Sequence, residues 1–311
     1  MCEGNQTEVT HFLLLGFNGL YKYKILLFII SLFSYFVILN GNLLIIVLVS
    51  TNENLNIPMF YFLKHLALAD VLTTTAIMPM MLNIIMLGMT EVPVKSCIIQ
   101  VYLFYTFGFV QCFLLAIMSY DRYLAICSPM NYNSIMQPHT CLKMVLASWF
   151  LMFIFSFEII LVWQLRFCGQ NVIDHFFCDF KPMIDLATSD TYPVVLFDFV
   201  FSIILVVTPF TLIILSYIRI FFTITILPST SGWGKTFSTC GSHLTTVCIY
   251  YGTILMVYIA PSDDSSLSTN KFKSLLLIVV TPMMNPIIYS LKNHEIQRTL
   301  QQMFTRLNGY N

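Results

Sequence analysis

CIIQVYLFYTFGFVQCFLLAIMSY occupies Cys97–Tyr120, and Asp121 and Arg122 follow it directly. The run holds no charged residue and exceeds the roughly 20 apolar residues that carry a helix across the hydrocarbon core of a bilayer. The charged pair at its end marks where that helix meets water. Outward from this stretch, charge-free runs of similar length cover 25–50 and 236–261, and 194–218 carries only Asp198, near its start. The stretch 142–165 qualifies with Glu158 inside it, and 274–291 is slightly short but helical in composition. The remaining stretch, 58–87, holds Lys64, His65 and Asp70. A charge at the bilayer centre costs about 2.5–3.5 kcal/mol even on the lenient insertion scale, so these side chains are expected in a packed or watered interior. With the third span at 97–120 the total is seven. A short amphipathic segment, 292–307, follows the last of them.

Composition agrees with that reading. Of 311 residues, 58% are hydrophobic and 10% charged, against about 45–50% and 25% in soluble domains. The expected fold is an all-α membrane protein, a seven-helix bundle forming one domain over 1–311, because no linker, repeat or low-complexity tract divides it. Basic and acidic residues balance at 15 each, which leaves no electrostatic footprint for nucleic acid. The 28 phenylalanines and 17 methionines read as packing and lipid-facing residues rather than a cofactor box. Neither a cofactor nor a metal is expected.

An odd number of spans places the two termini on opposite sides of the membrane. Asn5-Gln6-Thr7 is the only N-glycosylation sequon in the sequence. It sits in the amino-terminal segment, which puts that end outside and the carboxyl end in the cytoplasm. The basic residues decide little, with eight on the inner side, counting Lys64, and seven on the outer. The first apolar run is too long for a signal-peptide core and no small-residue cleavage site precedes it, so it reads as a retained helix. This topology sets Cys2, Cys97, Cys168 and Cys178 on the oxidising side, where stable disulfides form. Cys97 opens the third helix and Cys178 sits within the long second outer loop, so a bridge between them would pin that loop over the bundle. Cys2 and Cys168 are either free or paired with each other, and spacing leaves both open.

Four motifs stand at helix ends. MSYDRYLAIC covers Met118–Cys127, PMMNPIIYS covers Pro282–Ser290, PMFYFL covers Pro58–Leu63, and KTFSTCGSHL covers Lys235–Leu244. With Phe12-Leu13-Leu14-Leu15-Gly16-Phe17 after the sequon, this set resembles the signature of vertebrate odorant receptors, a branch of the rhodopsin-like G-protein-coupled receptors. The resemblance covers nearly the whole chain. It implies a receptor in the plasma membrane, in the cilia of olfactory sensory neurons, that binds a small odorant and activates a heterotrimeric G protein of the stimulatory type on the cytoplasmic face. Two places depart from the family pattern. Thr188 stands where many members carry a third cysteine in the second outer loop, a partner for Cys168. Pro228–Gly234 lacks the basic residues common before Lys235.

The physics of these residues can be read beside the resemblance. Asp121 and Arg122 at a membrane edge form a local ion pair whose opening frees the arginine, a two-state element. Tyr123, Tyr217, Lys235, Asn285, Pro286 and Tyr289 complete the expected coupling set. Asn42, Asp70 and Asn285 lie at similar depths and need one another or water, so a polar core network is expected. Pro286 removes a backbone hydrogen bond beside Tyr289 and permits a hinge. His243 reads as a packed polar residue.

The resemblance places the ligand among the outer halves of the third, fifth, sixth and seventh helices. On the third, Phe104, Gly108 and Cys112 share a face, with Tyr105 and Phe109 beside them. Opposite are Phe201, Ser202 and Leu205 on the fifth, and Tyr251, Ile254, Leu255 and Tyr258 on the sixth. This is an apolar lining with a few hydroxyls, suited to a small and mostly apolar molecule. Glu158 and Asp198 are expected to reach outer water or pair with Arg166, the alternative being that they hold a cationic or hydrogen-bond-donating ligand.

Other classes fit less well. A transporter would line a path with ionisable groups or show two related halves, and a membrane hydrolase would need a nucleophile and base at one depth or clustered metal ligands. A visual pigment needs a lysine in the middle of the seventh helix, and none lies between Ser274 and Leu291. An aminergic receptor needs an acid in the outer third helix, where Phe104 and Tyr105 stand. A non-olfactory chemoreceptor for a small ligand is the remaining alternative.

Overall fold

A computed structural model describes residues 7–226, 230–258 and 267–308. Six of its helices are long and apolar enough to cross a membrane: Lys24–Thr51, Pro58–Leu87, Val94–Cys127, Tyr192–Ile226, Cys240–Tyr258 and Lys271–Lys292. Pro138–Trp163 forms another long apolar helix, fourth in chain order, and the seven together make the expected bundle. The third span packs against the second, fourth, fifth and sixth, which makes it the central element. It runs through Asp121–Cys127, past the end of its apolar stretch, because the polar residues there face protein rather than lipid. Asp121 and Arg122 are both buried.

The spans are held by shape as much as by apolar character, since lipid tails compete for any apolar surface. Gly41 shows this: a Cβ there would stand 2.9 Å from Pro286 Cγ, so the bare backbone lets the first and seventh spans close together. The fifth and seventh spans each contain a π-helical turn, at Ile203–Val207 and Leu276–Val280. Such a turn inserts an extra residue and rotates the side chains beyond it. On the first span Ile25, Ile29, Phe33 and Phe36 point away from the bundle, as lipid-facing residues do. Within 58–87, Asp70 is fully buried, while Lys64 lies over the Tyr61 ring at 5.3 Å and His65 packs on Tyr61 and Trp149.

The outer end carries a small sheet that the all-α reading did not anticipate. Strand β1 is His11–Leu14, β2 is Thr90–Pro93 and β3 is Val172–Ile173, in the order β2-β1-β3. β1 runs antiparallel to β2, with His11 opposite Pro93, and parallel to β3, with Leu13 opposite Val172. Alternate side chains of a strand face opposite sides, so Phe12 and Leu14 drop into the bundle and are fully buried. Below them the second outer loop inserts Phe176 and Phe177, with Phe17 stacked on Phe176 at 4.8 Å. Lys271, at the outer end of the seventh span, closes this layer. Its Nζ donates to Asp174 Oδ1 at 2.5 Å and to Gly16 O at 2.7 Å. Burial, with the Lys271 charge nearby, pushes the His175 imidazole down to about 3, so the ring packs there in its neutral form.

Candidate functional site

Cys97 and Cys178 form a disulfide with Cα atoms 5.3 Å apart, which fixes the second outer loop on the third span. Gln100 completes the anchor by accepting the Cys178 N–H at 2.9 Å. Cys168 is also disulfide-bonded, which removes the free-thiol alternative for it. Cys2 and Asn5 lie outside the described residues.

The outer residues gather around the third span as one aromatic group. Phe104 meets Tyr105 at 5.5 Å and the loop residue Phe177 at 5.7 Å, both edge to face. Tyr105 adjoins Phe109 and Phe180, and Phe109 packs with Leu205 and Phe201 from the fifth span. Tyr258 OH donates to Tyr105 OH at 3.4 Å, which donates in turn to Asp179 Oδ1 at 3.3 Å. Leu255 and Tyr258 are half exposed at the rim, whereas Tyr251 is buried and Ile254 partly so.

Asp179 was not among the residues singled out by sequence. It caps the short loop helix Phe180–Asp185 by accepting the Phe180 N–H at 2.8 Å. Burial raises its carboxyl, opposed by that N–H and by the Tyr105 hydroxyl. Glu158 lines a narrow cleft with Tyr102, Tyr105, Phe180 and Met183. Asp198 lies one turn before Ser202 on the same helix. Arg166 belongs to none of the ion pairs among the described residues, so the expected pairing of the two acids with it is not formed.

One level deeper, third and sixth spans are joined by two hydrogen-bonded rungs. Tyr250 OH donates to Gly108 O at 2.6 Å. Further in, His243 Nε2 lies 3.1 Å from Leu115 O and its Nδ1 lies 2.7 Å from Tyr217 OH. A carbonyl only accepts, so Nε2 carries the proton and Nδ1 accepts from the Tyr217 hydroxyl. Residues 108 and 115 thus meet residues 250 and 243, about two helical turns apart on both helices. His243 is the packed polar residue expected, with a bridging role that the sequence alone did not expose. Tyr250 was passed over, although it shares a face with His243.

Arg122 closes onto Asp121 Oδ2 through Nε at 3.0 Å and Nη2 at 2.6 Å. The other carboxylate oxygen accepts from Tyr132 OH at 2.8 Å. Tyr132 belongs to the inner-loop helix Pro129–Ile135, and burial with the Asp121 charge pushes its hydroxyl pKa up. Nothing in the local sequence distinguished this tyrosine. Tyr123 stacks on Tyr120 at 6.2 Å, and the side chain of Lys235 lies outside the described residues.

Between the two levels lies the polar core. Asn285 Nδ2 donates to Asp70 Oδ2 at 2.7 Å, and Asn42 Nδ2 donates to Pro282 O at 3.1 Å. The three residues therefore join the first, second and seventh spans, beside Pro286 and the buried Tyr289. Asp70 Oδ1, Asn42 Oδ1 and Ser119 Oγ have no protein partner, and buried polar atoms of this kind are ordinarily met by water.

This geometry is layered along the third span. It has an aromatic outer region, a polar middle and an ion pair at the inner edge. The family model described as olfactory receptor matches residues 31–307. Olfactory receptor 10A3 of Homo sapiens is 41% identical over 98% of both chains. Olfactory receptor 1E16 of Mus musculus is 40% identical over 98% of both. Olfactory receptor 1496 of Rattus norvegicus is 42% identical over 95% of this chain and 96% of its own.

Proposed function

The chain belongs to the olfactory receptor family, and from that premise we propose how this odorant receptor, a multi-pass membrane protein and not an enzyme, divides its work along the third span. Residues 1–311 act as one domain. Small, mostly apolar odorants bind among Phe104, Tyr105, Gly108, Phe109 and Cys112 of the third span, Phe201, Ser202 and Leu205 of the fifth, and Tyr251, Ile254, Leu255 and Tyr258 of the sixth. A heterotrimeric G protein of the stimulatory type engages the inner face near Arg122, Tyr123, Tyr217, Lys235 and Tyr289, raising cAMP. The setting is the ciliary membrane of olfactory sensory neurons, with Asn5 outside.

The observation that carries this reading is the pair of rungs between the third and sixth spans. The outer rung, Tyr250 to Gly108, adjoins the aromatic region, and the inner rung, His243 to Leu115, adjoins Arg122 through Tyr217. A ligand shifts an equilibrium only by its differential affinity for the two states. An odorant that prefers the sixth span displaced at Tyr250 therefore weakens the inner rung, and the inner ends of the two spans separate. Asn285 and Pro286 supply polar packing and a hinge on the seventh span for the same change. A ligand panel read by a cAMP reporter tests the scheme. Agonist responses that persist in a surface-expressed Arg122→Ala receptor contradict it.

A further inference from the structure

The chain has nine cysteines, and all but Cys2 fall among the described residues. Cys97 and Cys178 bond each other. Cys112, Cys127, Cys141, Cys240 and Cys248 are free thiols. Cys168 is disulfide-bonded, so within this chain Cys2 is the one cysteine left to be its partner.

The path of the chain brings that partner within reach. From Thr7 onward the amino-terminal segment runs beside the stretch that holds Cys168. Glu8 bridges Cys168, the Gly169 N–H donates to Thr7 O at 3.3 Å, and the Val9 N–H donates to Phe167 O at 2.9 Å. Further along, the Leu13 N–H meets Asn171 O at 2.7 Å and the Gly16 N–H meets His175 O at 3.1 Å. Cys2 precedes Thr7 by five residues, a tether of at most about 16–18 Å. The Cα atoms of a disulfide stand about 4.4–6.8 Å apart, so the tether reaches Cys168 with slack. On its other side the same stretch meets no thiol. Phe167 bridges Ala187, and Thr188 donates to Arg166 O through its N–H at 2.8 Å and its Oγ1 at 3.1 Å.

We propose that Cys2 and Cys168 form a second outer disulfide, which straps the amino-terminal segment to the second outer loop and is opened by reductants before Cys97–Cys178. The inference goes beyond the odorant scheme and needs only an amino terminus on the oxidising side. The bond forms by exchange with a disulfide-bearing oxidant of the secretory compartment. The Cys2 thiolate attacks that disulfide and one carrier thiolate leaves; the Cys168 thiolate then displaces the other. The carrier takes up the two electrons and both thiol protons and departs as a dithiol. The strap secures the approach to β1, where Thr7 and Glu8 are exposed, and so holds the buried Phe12 and Leu14 in place. The two bonds differ in access. Cys178 lies in the buried run 175–178 and Cys97 is buried with it, whereas Cys168 stands between the exposed Arg166 and the exposed Gly169 and Gln170. An attacking thiol must reach the sulfur, so the more accessible bond is the more labile.

The test uses the wild-type full-length receptor, alkylated and then cleaved before aspartates without reduction. Cuts at Asp70, Asp121, Asp174 and Asp179 place Cys2 in 1–69, Cys97 in 70–120, Cys168 in 121–173 and Cys178 in 174–178. Mass spectrometry of the monomer band should find 1–69 joined to 121–173, and 70–120 joined to 174–178. A dithiothreitol series on intact cells, each step quenched by alkylation, should release the first pair while the second is still joined. A gel count of thiol adducts on denatured, unreduced protein gives a second measurement. The five free thiols of wild type should become six in Cys2→Ser and in Cys168→Ser, and return to five in the double variant. An unlinked 1–69 in the wild-type digest, Cys178 joined to 1–69 or 121–173, or a count of seven in wild type overturns the pairing. Release of both bonds at the same reductant step, or of Cys97–Cys178 first, overturns the order of opening. If the single variants do not fold, the wild-type digest decides the pairing without them.

Discussion

The two ends of the third span are held by different forces. Its outer end is fixed covalently at Cys97 and then surrounded by rings, with long hydroxyl bonds of 3.3 and 3.4 Å through Tyr105. Its inner end is held by a charge-assisted pair at 2.6 Å and a phenol-to-carboxylate bond at 2.8 Å. Aromatic contacts are individually weak and tolerant of shape, which suits the ligand-binding surface proposed for this end. Charge-assisted bonds are short and directional, so an arrangement built from them is either made or broken. The contrast teaches that selectivity and switching can reside on one helix because they use different chemistry.

The largest expected effect removes the outer anchor. Cys97→Ser should cost roughly 2–5 kcal/mol, by analogy with small secreted domains, and abolish surface delivery. Normal surface signal and response in that variant would show that the aromatic packing holds the loop unaided. Next, Arg122→Ala should erase cAMP signalling for every agonist while surface delivery persists, because it removes the inner contact and touches no ligand. Tyr132→Phe should act more gently. Loss of a hydrogen bond to a charged group is worth roughly 1.5–3 kcal/mol, and removing it from the resting arrangement should raise basal cAMP several-fold. An unchanged baseline would place the Tyr132 bond equally in both states.

Tyr258→Phe belongs to the outer end and should cost about 0.5–1.5 kcal/mol for ligands that bond its hydroxyl, with little change for hydrocarbons. Equal losses for both kinds would mean that Tyr258 supports Tyr105 rather than the ligand. Smallest of all, Asn5→Gln should abolish a glycosidase-sensitive mobility shift without altering ligand ranking. An amino-terminal tag seen only after permeabilisation would invert the topology and exchange the two ends of the comparison.

Much of this division was legible before any coordinates. The spans at 25–50, 58–87 and 97–120 correspond to the helices Lys24–Thr51, Pro58–Leu87 and Val94–Cys127. Asp121 and Arg122 were recognisable as a pair, and Asn285 and Asp70 as members of one network, because ionisable groups within a bilayer must find partners. The β1 strand was not legible, since Phe12-Leu13-Leu14 is too short for its period to separate strand from coil. Tyr132 and Asp179 were invisible for another reason. Each is a polar residue in a loop, where polarity is expected, and its meaning comes only from the partner the fold brings to it.

The sequence by itself determined the order and approximate ends of the long apolar helices, because transfer into a bilayer is a sum over local residues and needs no knowledge of neighbours in space. It also determined which few polar groups had to be explained. Tertiary structure alone decided how each helix is turned about its axis and what each polar group meets. Successive residues of a helix point about 100° apart, so Tyr250 reaches the Gly108 carbonyl while Tyr251, one position on, does not. The difference between a paired hydroxyl and an unpaired one lies in that rotation, which is fixed by contacts between spans far apart in the chain.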